Sequence, residues 1–185
     1  MDPKHTVRSF RRVSLAILAV LSFRFIFTNL LSSIVLAGEP GFADRRGTLE
    51  KETLELINHD RIASDYLGET RGRAGPLLWD DRLARVARAH SEEMARNGYF
   101  SHQSARGQSP ADRLSAAGIL WTHVGENIAN CETVTQAEST FMDEPRFERN
   151  HRWNILNPNY TRVGVGIARG DDGMLHITED FAQLR

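Results

Sequence analysis

Cysteine is almost absent from this chain. Cys131 is the only one among 185 residues, so no disulfide can form within the chain. Secreted animal domains of this size are commonly cross-linked by disulfides, and their lack is more typical of a bacterial protein. A lone cysteine is more often a small buried hydrophobic residue than a reactive thiol. The fold must therefore form without covalent cross-links.

Several motifs that would identify an activity are missing as well. The chain has neither a glycine-rich phosphate loop nor a dinucleotide-binding fingerprint. No serine or cysteine lies in a nucleophile motif. There is no basic patch of the kind that binds nucleic acid, and there are no internal repeats. A nucleic-acid partner is therefore not predicted.

The N-terminus has the layout of an export signal. Three arginines at positions 8, 11 and 12 precede a mostly apolar segment, residues 13–37, which ends in Val35-Leu36-Ala37. A basic start, an apolar stretch and a cleavage site of this kind are typical of a signal peptide. Arg24 interrupts the apolar segment, and a charge in the middle of a bilayer is costly. We therefore predict that residues 1–37 are a cleaved signal peptide.

Two other interpretations of this segment remain open. Residues 13–37 are long enough to span a membrane if the Arg24 side chain extends to its surface, which would make residues 1–37 an uncleaved anchor. The true start codon could also lie downstream of Met1. The expected location is outside the cytoplasm, as a secreted, periplasmic or cell-surface protein or as an anchored one.

The remaining 148 residues are enough for one domain with its own core. They carry 18 basic and 23 acidic residues, a formal net charge of −5. Residues 38–47 are predicted to be a linker, and residues 48–185 the folded domain, expected as a monomer. The first helix is predicted over residues 48–66, followed by a loop over residues 67–78. Asn58 and Arg61 share a face of that helix with apolar side chains and are expected to hydrogen-bond loop backbone.

Three further helices and three strands follow. The helices are predicted over residues 81–97, 109–118 and 133–144, each with a capping side chain at its start. The strands are predicted over residues 124–130, 160–168 and 174–183. In the second strand, branched residues alternate with Gly164, Gly166 and Ala168, which suits a central strand with a helix packed closely on it. The turn at residues 170–173 makes the last two strands antiparallel, so the class is α+β.

Four residues are the candidates for function: His102, Glu126, Glu144 and His151. Two imidazoles and two carboxylates are groups that bind a divalent metal or exchange protons near neutral pH. If they converge, the fold has a polar cleft. Glu126 shares a strand face with Val124 and Ile128, and a carboxylate there needs a partner because burying it alone is expensive.

The segments around these residues resemble the CAP superfamily of cysteine-rich secretory, antigen 5 and pathogenesis-related 1 proteins, also called SCP-like domains. The resemblance covers residues 49–182 and is closest to the cysteine-poor bacterial branch. Each piece alone is weak, but their order along the chain makes the match specific. The matching pieces are Leu56-Ile57-Asn58 with Arg61, Pro76-Leu77 with Trp79, Leu83 with Ala87, Phe100-Ser101-His102, Gly125-Glu126-Asn127-Ile128, and Asn150-His151-Arg152-Trp153-Asn154-Ile155-Leu156.

This resemblance implies a three-layer α-β-α sandwich with a central, mainly antiparallel sheet and a cleft that holds two histidines and two glutamates. His102 and His151 match the family's histidines, and Glu126 its first glutamate. Glu144 ends the aromatic-x-x-Glu element, in which Phe141 replaces the usual tryptophan. The last strand also departs from the pattern, with Thr178-Glu179 where relatives usually have Thr-Gln. Asn127, His123, His176 and Glu179 are second-tier candidates for the cleft.

Two classes of function fit these residues. In the first, the cleft, with or without a divalent metal held by the two histidines and two glutamates, binds an extracellular or cell-envelope ligand, which the resemblance suggests is a lipid, an envelope component or a partner protein. In the second, a hydrolase for an amide or a glycan, His102 and His151 hold Zn²⁺ or another divalent cation with Glu126, or a His–Glu pair does general acid–base work. No sequence feature supplies an oxyanion hole or a substrate, so binding is favoured over catalysis.

Overall fold

The computed structural model describes residues 41–146 and 149–185, and the predicted signal peptide lies outside them. Helices and strands are mixed along the described chain. The helices are α1 (Phe42–Ile62), α2 (Leu67–Thr70), α3 (Asp81–Asn97), α4 (Pro110–Ala116), α5 (Val134–Met142) and α6 (His151–Leu156). The strands are β1 (Leu78–Trp79), β2 (Trp121–Cys131), β3 (Arg162–Arg169) and β4 (Leu175–Leu184).

The four strands form one sheet in the order β1-β3-β4-β2. β4 is antiparallel to both of its neighbours, β3 and β2, whereas the short β1 pairs with β3 in parallel. β4 is buried from Leu175 to Ala182. β2 is an edge strand of the described sheet, and its Glu126 lies opposite Asp180 of β4.

Helix α3 packs on one face of the sheet, and two glycines of β3 allow the close approach. A Cβ atom on Gly164 would lie 2.1 Å from the backbone nitrogen of Ala84, and one on Gly166 would lie 2.0 Å from that of Arg88. Real Cβ atoms do not come so near backbone, so these positions exclude any larger residue. The inner face of α3 buries Leu83, Ala84, Ala87, His90, Ser91 and Met94.

Helices α1, α5 and α6 cover the other face of the sheet. Their apolar side chains enclose the main core together with those of β3 and β4. The core includes Ile57, Phe141, Ile155, Val165 and Phe181. One helical layer on each face of the sheet gives the three-layer α-β-α sandwich, and the predicted fold class is confirmed.

Arg61 of α1 holds the loops around this core. Its side chain is fully enclosed and donates to four backbone carbonyls, at 2.7 Å to Gly75, 2.6 Å to Ile155, 3.0 Å to Asn157 and 3.3 Å to Tyr160. Burial lowers the pKa of Arg61 to about 10. Asn58, one turn earlier, bonds both backbone groups of Leu77. The prediction that these two polar residues bind loop backbone is confirmed.

Several predicted boundaries are wrong. Helix α1 begins at Phe42, so residues 42–47 are helical and not part of a linker, and it ends at Ile62 rather than residue 66. The segment predicted as a loop, residues 67–78, begins with α2 and ends at the start of β1. Helix α6 was not predicted. Within the described residues, no helix is long and apolar enough to cross a membrane.

Candidate functional site

The first half of the site is a histidine held by a buried carboxylate. His102 lies in the loop between α3 and α4, and its Nδ1 is 2.8 Å from Oε1 of Glu126 on β2. The other oxygen, Oε2, accepts a hydrogen bond from Arg113 of α4. Arg113 also donates to the carbonyl of His102 at 2.7 Å. The three residues therefore form a closed hydrogen-bonded unit, with His102 half exposed and Glu126 1% exposed at its side chain.

The second half is a matching pair at the start of α6. Nδ1 of His151 is 2.6 Å from Oε1 of Glu144, and the His151 backbone N–H donates to Oε2 at 2.8 Å. Asn150 caps the helix by accepting from the Trp153 N–H at 2.9 Å. The ring of Phe141 stacks on His151 with centroids 4.5 Å apart. This packing and the two bonds to Glu144 fix the position of the His151 ring.

The two halves come together around the edge strand β2. Glu126 and Asn127 are successive residues of β2, so their side chains leave opposite faces of the sheet. Glu126 binds His102, whereas Asn127 Nδ2 donates to the carbonyl of His151 at 3.3 Å. The His102 and His151 rings stack with centroids 6.5 Å apart and planes at 29°. The structure thus brings all four first-tier residues to one place beside the edge strand β2.

The hydrogen bonds determine which ring nitrogens are available. A carboxylate only accepts, so each Nδ1 that contacts a glutamate carries the proton. In a neutral ring the lone pair is then on Nε2. His102 and His151 therefore both offer an Nε2 that can accept a hydrogen bond or bind a metal, with a carboxylate behind each ring.

Further buried acids lie next to this site. Asp180 of β4, opposite Glu126, is completely buried, and neither carboxylate oxygen has a hydrogen-bond partner in the structure. Burial raises the pKa of Asp180 well above its usual value, the charge of Glu126 adds to this effect, and the charge of Arg113 opposes it. The environment of Asp180 therefore favours its protonated form, and Arg113 is the cation that contacts the carboxylate of Glu126.

A second pair of buried acids lies beyond Asn127. Asn127 Nδ2 donates to Glu179 Oε2 at 3.0 Å. Burial raises the pKa of Glu179 to about 8, although the bond from Asn127 lowers it. Burial and then the charge of Glu179 also raise the pKa of Glu138 in α5. Asn154 completes the network by donating to Asn127 Oδ1 at 2.9 Å and to the Glu126 carbonyl at 3.1 Å.

The second-tier candidates divide into two groups. Asn127 and Glu179 belong to the network behind the rings. His123 is exposed near the start of β2 and contacts Thr122 at 3.3 Å. His176 is buried against Asn130, four residues along β4 from Asp180, so it lies roughly 13 Å along the strand from the level of Glu126. Neither of these two histidines contacts the other four site residues in the described structure.

Sequence reasoning did not identify Arg113, Asp180, Glu138 and Asn154 as part of this network. Two of them had a visible signal. Asp180 follows Thr178 and Glu179 in the segment predicted as the last strand, where three successive polar residues place a polar side chain on each face of the sheet. Glu138 lies in a short helix whose other turns bury apolar residues. Arg113 had no such signal, because arginine is frequent in this sequence and nothing in the local pattern distinguishes this one.

A metal fits only part of the predicted ligand set. The Nε2 atoms of His102 and His151 are suitable donors, but both oxygens of Glu126 already bind His102 and Arg113. Rings that share one ion have centroids about 5–6 Å apart, so the two rings, which are 6.5 Å apart, would have to approach by about 0.5–1.5 Å. Over residues 41–146 and 149–185, no group of three or more His, Cys, Asp or Glu side chains is arranged to hold a metal. Any shared ion would therefore need water for the rest of its coordination.

Comparison with known proteins places the chain among bacterial relatives. YkwD of Bacillus subtilis, described as uncharacterized, is 38% identical over 118 residues, which are 63% of this chain and 41% of YkwD. YlbC of the same organism, described as an uncharacterized membrane protein, is 36% identical over 66% of this chain and 32% of its own. The chain thus spans less than half of either relative.

This chain is also similar to a protein of known structure. An extracellular protein containing an SCP domain from Bacillus anthracis superposes with a TM-score of 0.63 at 27% identity, over 79% of this chain and 45% of that protein. The sequence model of the CAP family, the cysteine-rich secretory protein family, matches residues 54–181, which include all four first-tier residues. This chain belongs to the CAP family.

Proposed function

We propose that the protein is an exported binding module whose two His–Glu pairs recognise an extracellular or cell-envelope ligand. The observation that carries the proposal is the pairing itself. Glu126 and Glu144 each hold a histidine by Nδ1 and leave Nε2 as an acceptor, with the rings 6.5 Å apart. Two fixed acceptors at this spacing suit a ligand with two or more hydrogen-bond donors.

Binding explains the surroundings better than catalysis does. A hydrolase of the acyl-transfer type needs a nucleophile and preorganised donors for the developing negative charge. The groups nearest the rings are carboxylates, which disfavour such a charge. One observation favours the hydrolase alternative. A carboxylate behind an imidazole, as in both His–Glu pairs, makes Nε2 a better general base. A single assay should therefore measure binding and turnover together.

Export is part of the proposal. The SCP-domain protein of Bacillus anthracis is described as extracellular, and YlbC as a membrane protein. The arginines, the apolar segment and the Val35-Leu36-Ala37 site of residues 1–37 match the layout of a signal. N-terminal sequencing of the protein from its native host tests this. A start after Ala37 supports cleavage, and Met1 retained in the membrane fraction supports an anchor.

The binding test uses the insoluble cell envelope of the native host. The full chain is mixed with washed envelope, and the fraction that sediments is measured against concentration. We expect His102→Ala and His151→Ala to weaken binding about tenfold or more, because each removes a hydrogen-bond acceptor and leaves Oε1 of its glutamate without a partner. His59→Ala is the matched control, since His59 is exposed on α1. Equal binding by all four proteins would reject the site.

The same mixtures decide between binding and hydrolysis. Soluble fragments carrying new amino groups or reducing ends are followed over time. Release that requires His102 and His151 would show a hydrolase, whereas sedimentation without release supports a binding module. A divalent ion is tested separately by calorimetry with Zn²⁺. Because only a neutral imidazole binds a metal, weak binding at about pH 7.5 should be lost at about pH 5.5 and in either histidine variant.

A further inference from the structure

A basic groove runs along the outside of α3, separate from the His–Glu pairs. Its wall on α3 is formed by residues three or four apart, which share one helix face. The loop before α4 and the end of α4 form the other wall. The groove encloses about 580 Å³, and its lining includes two glutamates, Glu92 and Glu93, and several arginines, among them Arg85, Arg96, Arg106 and Arg113.

The acidic residues of this groove are already engaged. Glu92 binds Arg46 of α1 at 2.9 Å, and Glu93 accepts from the Tyr99 hydroxyl at 2.7 Å. One arginine of the groove, Arg82, binds Asp80 at 2.8 Å. Glu92 is therefore paired with a cation outside the groove, whereas Glu93 keeps its charge, and the arginines of the lining still outnumber the glutamates.

Three exposed arginines are left without a carboxylate. Arg85, Arg96 and Arg106 line the groove and form no salt bridge within residues 41–146 and 149–185. Guanidinium groups that line one cavity repel each other, and this arrangement is common where an anion is bound. The chain as a whole carries a formal charge of −1, whereas the lining of the groove has five arginines and two glutamates.

The floor of the groove contains an unused donor. The side chain of Arg113 is 8% exposed, and its Nη atoms bind Glu126 and the carbonyls of His102 and Gln108. Its Nε is buried and has no hydrogen-bond partner in the structure. A buried N–H without a partner is costly, so this arginine beside the groove retains an unused donor.

We propose that this groove binds a phosphate group of a soluble or polymeric ligand. A phosphate presents at least two charged oxygens and forms bidentate bonds with planar guanidiniums, so it satisfies more of these donors than a carboxylate would. The groove is concave and its floor is buried, which suits a group that enters it rather than the flat surface of a bilayer. The proposal is independent of the function proposed for the His–Glu pairs, because three of the four arginines that carry it do not contact those pairs.

Inorganic pyrophosphate is the probe. Binding to the full chain is measured by calorimetry at fixed ionic strength with sodium chloride as the balancing salt. We expect the double variant Arg85→Gln/Arg106→Gln to weaken pyrophosphate binding about tenfold or more, because two charge-assisted contacts are lost. The control is Lys51→Gln/Arg73→Gln, which removes the same charge from exposed positions outside the groove and should leave binding unchanged.

Three results would overturn the proposal. They are no binding by the unmodified chain, equal weakening by both double variants, or binding to phosphatidylglycerol vesicles with none to pyrophosphate. The first would show that the groove holds no phosphate, the second that only total charge matters, and the third that a bilayer surface is the partner. Thermal unfolding of both variants checks that each is folded, and substitution of exposed residues is expected to leave stability nearly unchanged.

Discussion

At the scale of single residues, the cation that balances Glu126 is the most consequential feature of the site. Arg113→Met would leave the Glu126 carboxylate buried with only His102 as partner, directly opposite Asp180. We expect the free energy of unfolding to fall by about 3–5 kcal/mol, the usual cost of an unpaired buried charge. Urea unfolding at neutral pH measures it.

The double variant Arg113→Met/Glu126→Gln separates charge from packing. If the cost of the single change is the unpaired carboxylate, removing that charge should restore most of the lost stability. A double variant as unstable as Arg113→Met would instead assign the loss to the two carbonyl bonds that Arg113 makes in the loop.

The raised pKa of Glu179 predicts that the free energy of unfolding depends on pH. The folded chain holds its proton up to a pKa of about 8, whereas an unfolded glutamate releases it near ~4.3. Between these values the folded state binds the extra proton, so the free energy of unfolding falls by about 1.4 kcal/mol for each unit of rising pH. Glu179→Gln keeps a partner for Asn127 and should flatten this slope, which makes the variant more stable than the parent above about pH 6.

The measurement is urea unfolding at several values between about pH 5 and pH 8. Glu52→Gln provides the comparison, because Glu52 is exposed on α1 and its replacement should leave the slope as it was. Glu138 keeps a remaining slope of the same sign in the variant, because burial raises its pKa too. Identical slopes for Glu179→Gln and the unmodified chain would mean that Glu179 is ionised when folded.

The site could be predicted from sequence where it depends on local pattern. His102, Glu126 and His151 stand in short segments whose composition is distinctive, and each of them proved to have a partner. Arg113 and Asp180 could not be identified with them, because their contribution depends on which strands and loops come together. A pattern of spacings shows which face of an element a side chain occupies, but not what lies opposite it.

At the scale of elements, the contact between β3 and α3 makes a sharp prediction. Gly166→Ala places a Cβ 2.0 Å from the Arg88 nitrogen and 2.3 Å from the Ala87 carbonyl carbon, and both are backbone atoms of a helix that cannot move alone. We expect loss of several kcal/mol or failure to fold, since overpacking against backbone exceeds the usual ~1–3 kcal/mol cost. Thermal unfolding and solubility report the outcome.

Gly47→Ala is the same chemical change, but we expect it to raise the stability of the fold instead of lowering it. Gly47 lies in α1, is exposed, and has open space where its Cβ would be. Alanine should stabilise the helix by roughly 0.5–1 kcal/mol because glycine loses more backbone freedom on folding. If both variants lost stability equally, close packing of β3 on α3 would not be the cause.

Element boundaries also show what limits prediction. The start of α1 was misplaced because Gly38-Glu39-Pro40-Gly41 and Gly47 indicate a loop, yet the helix continues through Gly47. The salt bridge between Arg46 and Glu92 ties this N-terminal part of α1 to helix α3. Helix α6 is only six residues long, too short for a periodic pattern, and is held by its cap and by contacts from elsewhere.

At the scale of the whole molecule, the three-layer architecture could be predicted from two features of the sequence. Alternating glycine and branched residues in β3 indicated a sheet with a helix on its bare face, and the order of motifs indicated the family. The sheet order β1-β3-β4-β2 did not follow, because pairing between strands far apart in the chain leaves no local signal.

The central position of β4 has a consequence for how the protein is made. β2 and β3 are joined only through β4 in the described sheet, yet the ribosome synthesises β4 after every other element of the domain. Vectorial folding of this domain during synthesis is therefore blocked, since only the short β1 can pair with β3 before β4 joins β3 to β2. A fragment of residues 42–174 should show no cooperative melting in circular dichroism, and a nascent chain of that length should stay open to proteases. Because of this delay, the polypeptide stays unfolded until its last strand, the ten-residue β4, has left the ribosome.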